Sequence, residues 1–272
     1  VDMAHTVAYY YYGKNAAYAL AAAIPFGLNA RMQNAWYNAG NGLTLVNEFM
    51  ATQNLIAFPA GNTGVQMGGW FRKEINTVAD MQGLKMRIGG LAGKVVEKLG
   101  VVPQQIAGGD IYPALEKGTI DAAEWVGPYD DEKLGFVKVA PHYYYPGWWE
   151  SGPMLLAFVN LDKWNALPKH YQVVLEQAGH YANNWMMAKY DQLNPMALRK
   201  LLANGAKLHA FSQPIMEACF KAAKELHADV SKTNANFKKI YDSMTDFSNN
   251  GYQWFQVAEV GNDSFLARHS HG

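Results

Sequence analysis

Two glutamates in apolar surroundings are the residues of this 272-residue chain best suited to bind a charged group. Glu124 lies in the segment Asp121-Ala-Ala-Glu-Trp-Val-Gly-Pro, and Glu150 directly follows two tryptophans. A lone carboxylate in such surroundings carries a large desolvation penalty, so each one requires a cationic partner. The two carboxylates can share a hard cation, or each can pair with its own lysine or arginine.

A glycine-rich segment, Asn62-Thr-Gly-Val-Gln-Met-Gly-Gly-Trp-Phe, follows the strand-like Leu55-Ile-Ala-Phe and supplies an amide oxygen at Gln66. Glycines at this density allow close approach of the backbone to a ligand. The alternative is a glycine-rich hairpin with Trp70 in the core. Oxygen donors from this amide and the two glutamates suit sodium or calcium, whereas zinc requires nitrogen or sulphur ligands that this region lacks.

An arginine at the end of a predicted strand is the matching candidate for an organic anion. Arg87 lies at the end of the strand-like Leu84-Lys-Met-Arg-Ile-Gly, where its planar guanidinium can clamp a carboxylate through two hydrogen bonds. The alternative is a surface arginine on an edge strand with a solvated head. Four consecutive tyrosines, Tyr9 to Tyr12, are expected at another strand end, two on each side, with one hydroxyl reaching a cleft or all of them packed in the core.

Composition and missing motifs exclude several classes of protein. Lysine plus arginine number 23 and aspartate plus glutamate also number 23, so the strong positive field needed to bind nucleic acid non-specifically is absent. The single cysteine, Cys219, excludes a disulfide within the chain. No serine-hydrolase elbow, P-loop or dinucleotide fingerprint is present, and the histidines form no zinc-protease pair, so no catalytic residue is predicted.

The elements that must position these residues follow an α/β pattern, with short apolar runs alternating with helical patterns over residues 55–126. Strands are expected at residues 84–89, 101–107, 121–126, 154–159 and 206–211, and helices at 91–99 and 109–117, with Asp110 capping the second helix. Residues 168–203 predict one long helix, and the residues after Ser212 are helical almost throughout.

Taken together, several segments resemble the substrate-binding proteins of tripartite ATP-independent periplasmic (TRAP) transporters, in the subgroup that binds 2-oxo acids such as pyruvate, or lactate, together with a cation. The resemblance covers nearly the whole chain. The segments that carry it are Tyr10-Tyr-Tyr-Gly-Lys-Asn, Ile24-Pro-Phe-Gly-Leu, Gly61-Asn-Thr-Gly-Val-Gln-Met-Gly-Gly-Trp-Phe, Gly83-Leu-Lys-Met-Arg-Ile-Gly-Gly, Asp121-Ala-Ala-Glu-Trp-Val-Gly-Pro and Gly147-Trp-Trp-Glu.

The resemblance implies a role for each candidate residue. Arg87 would form a salt bridge with the substrate carboxylate, and the bound acid would complete the coordination of a sodium or calcium ion. The implied metal ligands are Gln66, Glu124, the backbone carbonyl of Trp125, and Glu150, and the implied substrate-binding residues are Arg87, Gln66, Tyr10, Trp125 and Glu150.

The resemblance also implies a periplasmic protein of two α/β lobes that close around the ligand, with residues 168–203 spanning both, and with membrane permease subunits as partners. The expected division is residues 1–37, 123–155 and part of 160–203 for the first lobe, residues 55–122 and 156–211 for the second, and a helical extension at 212–272 that forms a homodimer. A full family member begins with a signal peptide and a βαβα stretch that precede the segment resembling residues 1–11, so the first lobe is expected to be incomplete.

Two other functions compete with the binding protein. One is a truncated, vestigial interaction protein that folds through a helical dimer and no longer holds ligand. The other is a metal-assisted enzyme acting on a small acid, since paired carboxylates also serve acid and base chemistry. The enzyme ranks last because no tunable base accompanies the proposed site.

Overall fold

The computed structural model describes residues 1–269 and arranges the strands in two separate sheets. The strands are β1 (Met3–Val7), β2 (Leu55–Asn62), β3 (Gly69–Phe71), β4 (Lys85–Arg87), β5 (Val102–Gln104), β6 (Ala122–Ala123), β7 (His142–Tyr145), β8 (Met154–Asn160) and β9 (Lys207–Ala210). The helices are α1 (Ala17–Leu20), α2 (Ala30–Asn38), α3 (Gly42–Ala51), α4 (Gly90–Glu97), α5 (Gly108–Lys117), α6 (Pro128–Leu134), α7 (Leu161–Ala166), α8 (Lys169–Ala203), α9 (Gln213–Thr233), α10 (Ala235–Phe255) and α11 (Gly261–His269).

The smaller sheet has three antiparallel strands in the order β1-β8-β2. Its central strand β8 is nearly continuous in apolar residues, as expected where both faces are covered. One face packs with α1, α2, α3 and α10, around the fully buried Trp36. The other face packs against Trp164 of α7 and the start of α8. Burial of each large side chain in these layers contributes about 1.5–3 kcal/mol to stability.

The larger sheet has six strands in the order β5-β4-β6-β3-β7-β9. β4 is parallel to both β5 and β6, β7 is parallel to β9, and β3 is antiparallel to its two neighbours. One face packs with α4 and α9, and the other packs with α5 and Phe136. The predicted two-lobed α/β fold is therefore confirmed, with each sheet forming the centre of one lobe.

The strand pairing differs from the predicted division of the chain at three strands. β2 and most of β8 were expected in the second lobe, but they form the smaller sheet together with β1 of the first lobe. β7 was expected in the first lobe, but it pairs with β3 and β9 in the larger sheet. The reason is long-range packing, since Ala57 and Phe58 of β2 fill the cores on opposite faces of the smaller sheet. The chain consequently crosses between the sheets after β2 and again after β7.

Helix α8 is the predicted spanning helix and runs unbroken through Pro195. Its amino-terminal half packs on β2, where a Cβ on Gly179 would lie 2.6 Å from the carbonyl oxygen of Pro59, so the contact requires glycine. Its carboxyl-terminal half places Leu198 and Leu201 against the larger sheet. One helix therefore contributes to the cores of both lobes, which fits hinge closure with a shared support.

Two local expectations are wrong. The tyrosines do not continue a strand, because β1 ends at Val7 and Ala8–Tyr11 forms a tight helical turn. Their side chains therefore fan out instead of alternating between two faces. Asp110 does not cap α5, because the helix begins earlier and Ala107 occupies the capping position.

The C-terminal helices join the two lobes instead of forming a separate unit. α9 packs Ile215 and Cys219 against the larger sheet, and α10 packs Phe237 and Ile240 into the core of the smaller one. Beyond this packed part, apolar side chains are exposed at Tyr252, Trp254, Val257, Val260, Phe265 and Leu266. Within residues 1–269, none of the helices has the length and apolar character required to cross a membrane.

A buried histidine makes the packing of α9 on α10 sensitive to acid. His227 is buried beside Phe237 and Tyr241, and in the described part of the chain neither ring nitrogen has a hydrogen-bond partner. Burial lowers the pKa of His227 to about 4, and the charge of Lys224 acts in the same direction. The unfolded chain therefore binds more protons than the folded protein between the unperturbed pKa of about 6.5 and 4.

We expect the free energy of unfolding contributed by this group to fall as the pH falls through that window, by about 3 kcal/mol in total. His227→Leu should remove this component, so the difference between wild type and variant should change by that amount from pH 6.5 to pH 4. Denaturant unfolding at several pH values measures it, with His170→Leu on the exposed face of α8 as control. An unchanged difference between wild type and the His227 variant would contradict the prediction.

Candidate functional site

Arg87 and Glu124 meet because they end neighbouring parallel strands. Arg87 is the last residue of β4, its register partner on β6 is Ala123, and Glu124 follows directly. The backbone N–H of Glu124 donates to the carbonyl of Arg87 at 3.1 Å. Glu124 therefore lies just beyond the strand, not in its middle as the sequence suggested, and both side chains are buried.

The Arg87 guanidinium is held in place by several acceptors. Its Nη1 forms an ion pair with the Glu124 carboxylate and donates to the Glu124 carbonyl at 2.9 Å, while Nε donates to the carbonyl of Ile106 at 3.2 Å. The guanidinium carbon lies 5.0 Å from the ring centroid of Trp125. The alternative of a solvated surface arginine is therefore wrong. A cavity of about 300 Å³ opens beside this group, lined by Tyr10, Arg87, Ile88, Gly89, Gln105, Ile106, Ala107, Gly108 and Trp125.

Gln66 and Glu150 meet on the two segments that cross between the sheets. The backbone N–H of Gln66 donates to the carbonyl of Glu150 at 3.1 Å, and the next N–H, of Met67, donates to the carbonyl of Val126 at 3.0 Å. A Cβ on Gly147 would lie 2.3 Å from the Gln66 carbonyl oxygen, so this approach of the two crossings requires glycine. Gln66 is thereby fixed between the segments that carry the two glutamates.

Two oxygens at this junction have no protein partner. Gln66 Oε1 and Glu150 Oε2 are buried and accept no hydrogen bond from the described residues. The amide nitrogen of Gln66 faces Thr63 Oγ1 at 3.4 Å, which directs the oxygen the other way. A buried acceptor without a donor costs about 1–3 kcal/mol, and more when it is charged. Such oxygens fit a hard cation that takes only oxygen ligands.

The pKa values of the two glutamates are shifted by different neighbours. Burial raises the pKa of Glu124, while the adjacent Arg87 and the backbone N–H of Gly89 act against that rise. The pKa of Glu150 is raised well above its usual value, first by burial and then by the charge of Glu124, against the smaller effects of a hydrogen bond from Tyr9 and the charge of Arg87. Among the described residues Glu150 forms no ion pair, so only half of the alternative that each acid has its own basic partner is met.

Tyr9 is a residue of this site that sequence reasoning missed in favour of Tyr10. Burial raises the pKa of Tyr9 well above 10, and the charges of Glu150 and Glu124 raise it further, so the phenol stays a donor. Tyr10 is more than half exposed and lines the mouth of the cavity. The run of tyrosines was a usable signal, but selecting the inward one required the helical turn that ends β1.

The six predicted site residues are brought to one place. Arg87, Glu124, Trp125 and Tyr10 border the cavity directly or through the ion pair, and Gln66 and Glu150 adjoin them through the crossings. Trp125 contributes its ring to Arg87, while the role of its carbonyl as a metal ligand stays a prediction. All donors offered to a cation are oxygens, which fits sodium or calcium and disfavours zinc.

Two α/β lobes joined by strand crossings, with one helix supporting both and a buried ionic site at the crossings, define a ligand-binding protein of the periplasmic type. The chain belongs to the family of bacterial extracellular solute-binding proteins, family 7, whose model matches residues 1–234. Members of this family serve TRAP transporters, so the predicted class and its periplasmic location are confirmed.

Three individual relatives show which members of the family this chain is similar to. The chain is 51% identical over 267 residues to the monocarboxylate 2-oxoacid-binding periplasmic protein of Nostoc sp., covering 98% of this chain and 73% of that protein. A TRAP solute-binding protein from Bordetella bronchiseptica, a dimer with calcium and picolinate in one site, superimposes with a TM-score of 0.96 at 50% identity, covering 100% of this chain and 82% of the other. One from Pseudoalteromonas atlantica, with sodium and pyruvate, gives 0.92 at 40% identity, covering 98% and 80%.

The unpaired carboxylate of Glu150 leads to a prediction about the stability of the protein. Glu150→Gln should raise the free energy of unfolding of the cation-free protein by about 1–2 kcal/mol, because it replaces a buried charge repelled by Glu124 with a neutral group of the same shape. Thermal or denaturant unfolding at pH 8 in the presence of a chelator measures this change. Glu116→Gln, at an exposed position on α5, is the matched control and should change little. A destabilised Glu150 variant would show that the carboxylate is already compensated within the protein.

Proposed function

We propose that this protein captures a small 2-oxo monocarboxylate, of the size of pyruvate, together with a sodium or calcium ion, and presents it to the membrane permease subunits without altering it. One observation carries the proposal. Two buried glutamates lie near a single buried guanidinium that forms an ion pair only with Glu124, while Gln66 Oε1 and Glu150 Oε2 have no hydrogen-bond donor among the described residues. The site therefore lacks positive charge and has oxygen ligands placed to receive it.

Each residue of the site has its own role in this proposal. A bound sodium or calcium ion would supply the missing positive charge, with Gln66, Glu124 and Glu150 as its ligands and the Trp125 carbonyl as a fourth. The ion would then balance the charge of Glu124. Arg87 could therefore direct its N–H donors toward the ligand carboxylate in the adjoining cavity. Tyr9 keeps Glu150 in position by donating a hydrogen bond from its hydroxyl group.

The relatives indicate which ligands fit. Picolinate and pyruvate, bound by the two solved relatives, both carry a carboxylate next to a second donor atom, a ring nitrogen or a keto oxygen. Such molecules chelate a cation through both donors while the second carboxylate oxygen stays free for a guanidinium. 2-Hydroxy acids such as lactate share this arrangement. The vestigial interaction protein is disfavoured because these relatives bind ligand on the same fold, and an enzymatic role is disfavoured because the family serves transport.

Affinity measurements on Arg87 variants test the assignment. Arg87→Ala should weaken pyruvate binding in the presence of calcium by roughly 10- to 100-fold, since it removes charged hydrogen bonds to the carboxylate. Arg87→Lys keeps the charge beside Glu124 but loses the fork geometry, so it should fall between wild type and the alanine variant. Isothermal titration calorimetry measures each affinity, with Arg199→Ala on the exposed face of α8 as control.

Two results would contradict the proposal. Unchanged pyruvate affinity in both Arg87 variants would remove this arginine from the site. No binding of pyruvate, lactate or picolinate to the wild-type protein with either ion would reject the function itself.

We propose further that the exposed end of the helical extension pairs two copies of the chain. The six exposed side chains Tyr252, Trp254, Val257, Val260, Phe265 and Leu266 lie on α10, on α11 and on the helical turn Gln256–Val260 between them, and none of the six belongs to a hydrophobic core cluster of the described residues. An apolar surface of this kind on a helix is typical of a contact with another protein. The Bordetella relative is described as a dimer, which supports a second copy as the occupant.

Charged substitutions on this surface should give monomers. Trp254→Glu combined with Phe265→Glu would place two carboxylates in the apolar contact, so light scattering after size-exclusion chromatography should change from a dimer mass to the mass of one chain. Tyr181→Glu, at an equally exposed aromatic of α8, should leave the mass unchanged. A wild-type protein that elutes as a monomer at all concentrations tested would contradict the proposal.

A further inference from the structure

A second group of ligating side chains lies away from the carboxylate site, on the larger sheet. It comprises Glu74, His142 and His209, each of which offers one ligand atom within 4.8 Å of those of the other two. His209 lies on the edge strand β9, four strand spacings from the β4 strand that carries Arg87, or roughly 19 Å. The proposed 2-oxo acid site uses none of these three residues.

The parallel pairing of β7 and β9 brings the two imidazoles together. His142 is opposite Lys207 and Tyr144 is opposite His209, so the two histidines are diagonal neighbours on one face of the sheet. His142 Nδ1 and His209 Nε2 are 3.0 Å apart. Two nitrogens bound to one zinc ion at about 2.05 Å with tetrahedral angles would be about 3.3 Å apart. A small rotation of either ring therefore opens the pair to a zinc ion.

Neighbouring contacts hold the group in position. The Tyr144 ring stacks on His209, with centroids 5.0 Å apart. The Tyr144 hydroxyl accepts from the backbone N–H of Ile75 at 2.7 Å and donates to its carbonyl at 3.1 Å, which fixes the chain next to Glu74. Glu74 Oε1 is 3.9 Å from His209 Nδ1, the ring nitrogen that does not face His142, so the carboxylate must rotate to reach a metal between the two imidazoles, and its half-exposed side chain leaves room for that rotation. Outer contacts of this kind orient metal ligands and strengthen binding.

We propose that Glu74, His142 and His209 form a binding site for Zn²⁺, separate from the carboxylate site. Two imidazoles and one carboxylate are ligands that zinc accepts, with water completing the tetrahedron. Calcium and sodium, which prefer oxygen ligands, would not compete for the two nitrogens. The two sites therefore select different ions by the chemistry of their donors.

Zinc titration of the full chain tests the proposal. Calorimetry with chelator-treated protein, in buffer containing calcium and pyruvate, should show one zinc ion per chain at this site. His142→Gln, His209→Gln and Glu74→Gln should each weaken that binding by roughly 10- to 100-fold. Pyruvate affinity should stay unchanged in all three, which reports that the variants fold. His170→Gln and His269→Gln, at exposed histidines elsewhere, should retain zinc affinity.

The position of the ion is the second measurement. Anomalous diffraction at the zinc edge should place the ion between His142 and His209. The absence of zinc uptake, equal uptake in the His142 and His209 variants, or an anomalous peak elsewhere would reject the site and leave the two imidazoles as a hydrogen-bonded pair. Because pyruvate binding is read out separately, failure of this site and failure of the proposed function are distinguishable.

Discussion

The constraint on which this structure depends is a shortage of positive charge in a buried place. Glu124 forms an ion pair with the Arg87 guanidinium, whereas Glu150 has a hydrogen bond from Tyr9 and the weaker attraction of Arg87 against the repulsion of Glu124. A buried ion without an opposite charge costs several kcal/mol even after relaxation. Nothing in the described residues supplies that charge, so the arrangement is understandable only as one completed from outside the chain.

The fold places these charged and polar residues at strand ends and on the segments that cross between the two sheets. Arg87 and Glu124 end neighbouring parallel strands of one lobe. Gln66 and Glu150 lie on the two crossings, held together by a backbone hydrogen bond that the absence of a side chain at Gly147 permits. Because the crossings connect the lobes, any relative movement of the lobes would act directly on Gln66 and Glu150, two of the proposed oxygen ligands, which would link binding to closure.

The site was more predictable from the sequence than the lobe division was. Glu124 and Glu150 are recognisable because an acid among apolar neighbours is rare without a partner. The lobes were misdivided because β2, β7 and β8 each pair with strands far away in the chain, which local patterns do not record. The choice of Tyr10 over Tyr9 failed for a different reason. Which tyrosine points inward depends on the tight helical turn Ala8–Tyr11, which contains no glycine or proline that would have indicated it.

The charges also connect the choice of ion to the choice of ligand. Two glutamates against one arginine leave one negative charge, and a monocarboxylate adds another. A calcium ion brings this set to neutrality, whereas a sodium ion leaves one negative charge, so binding of the organic anion is opposed less strongly beside calcium. A dicarboxylate would leave an excess negative charge with either ion. The site thus favours monocarboxylates through its charge balance, before any contact with the remainder of the ligand is considered.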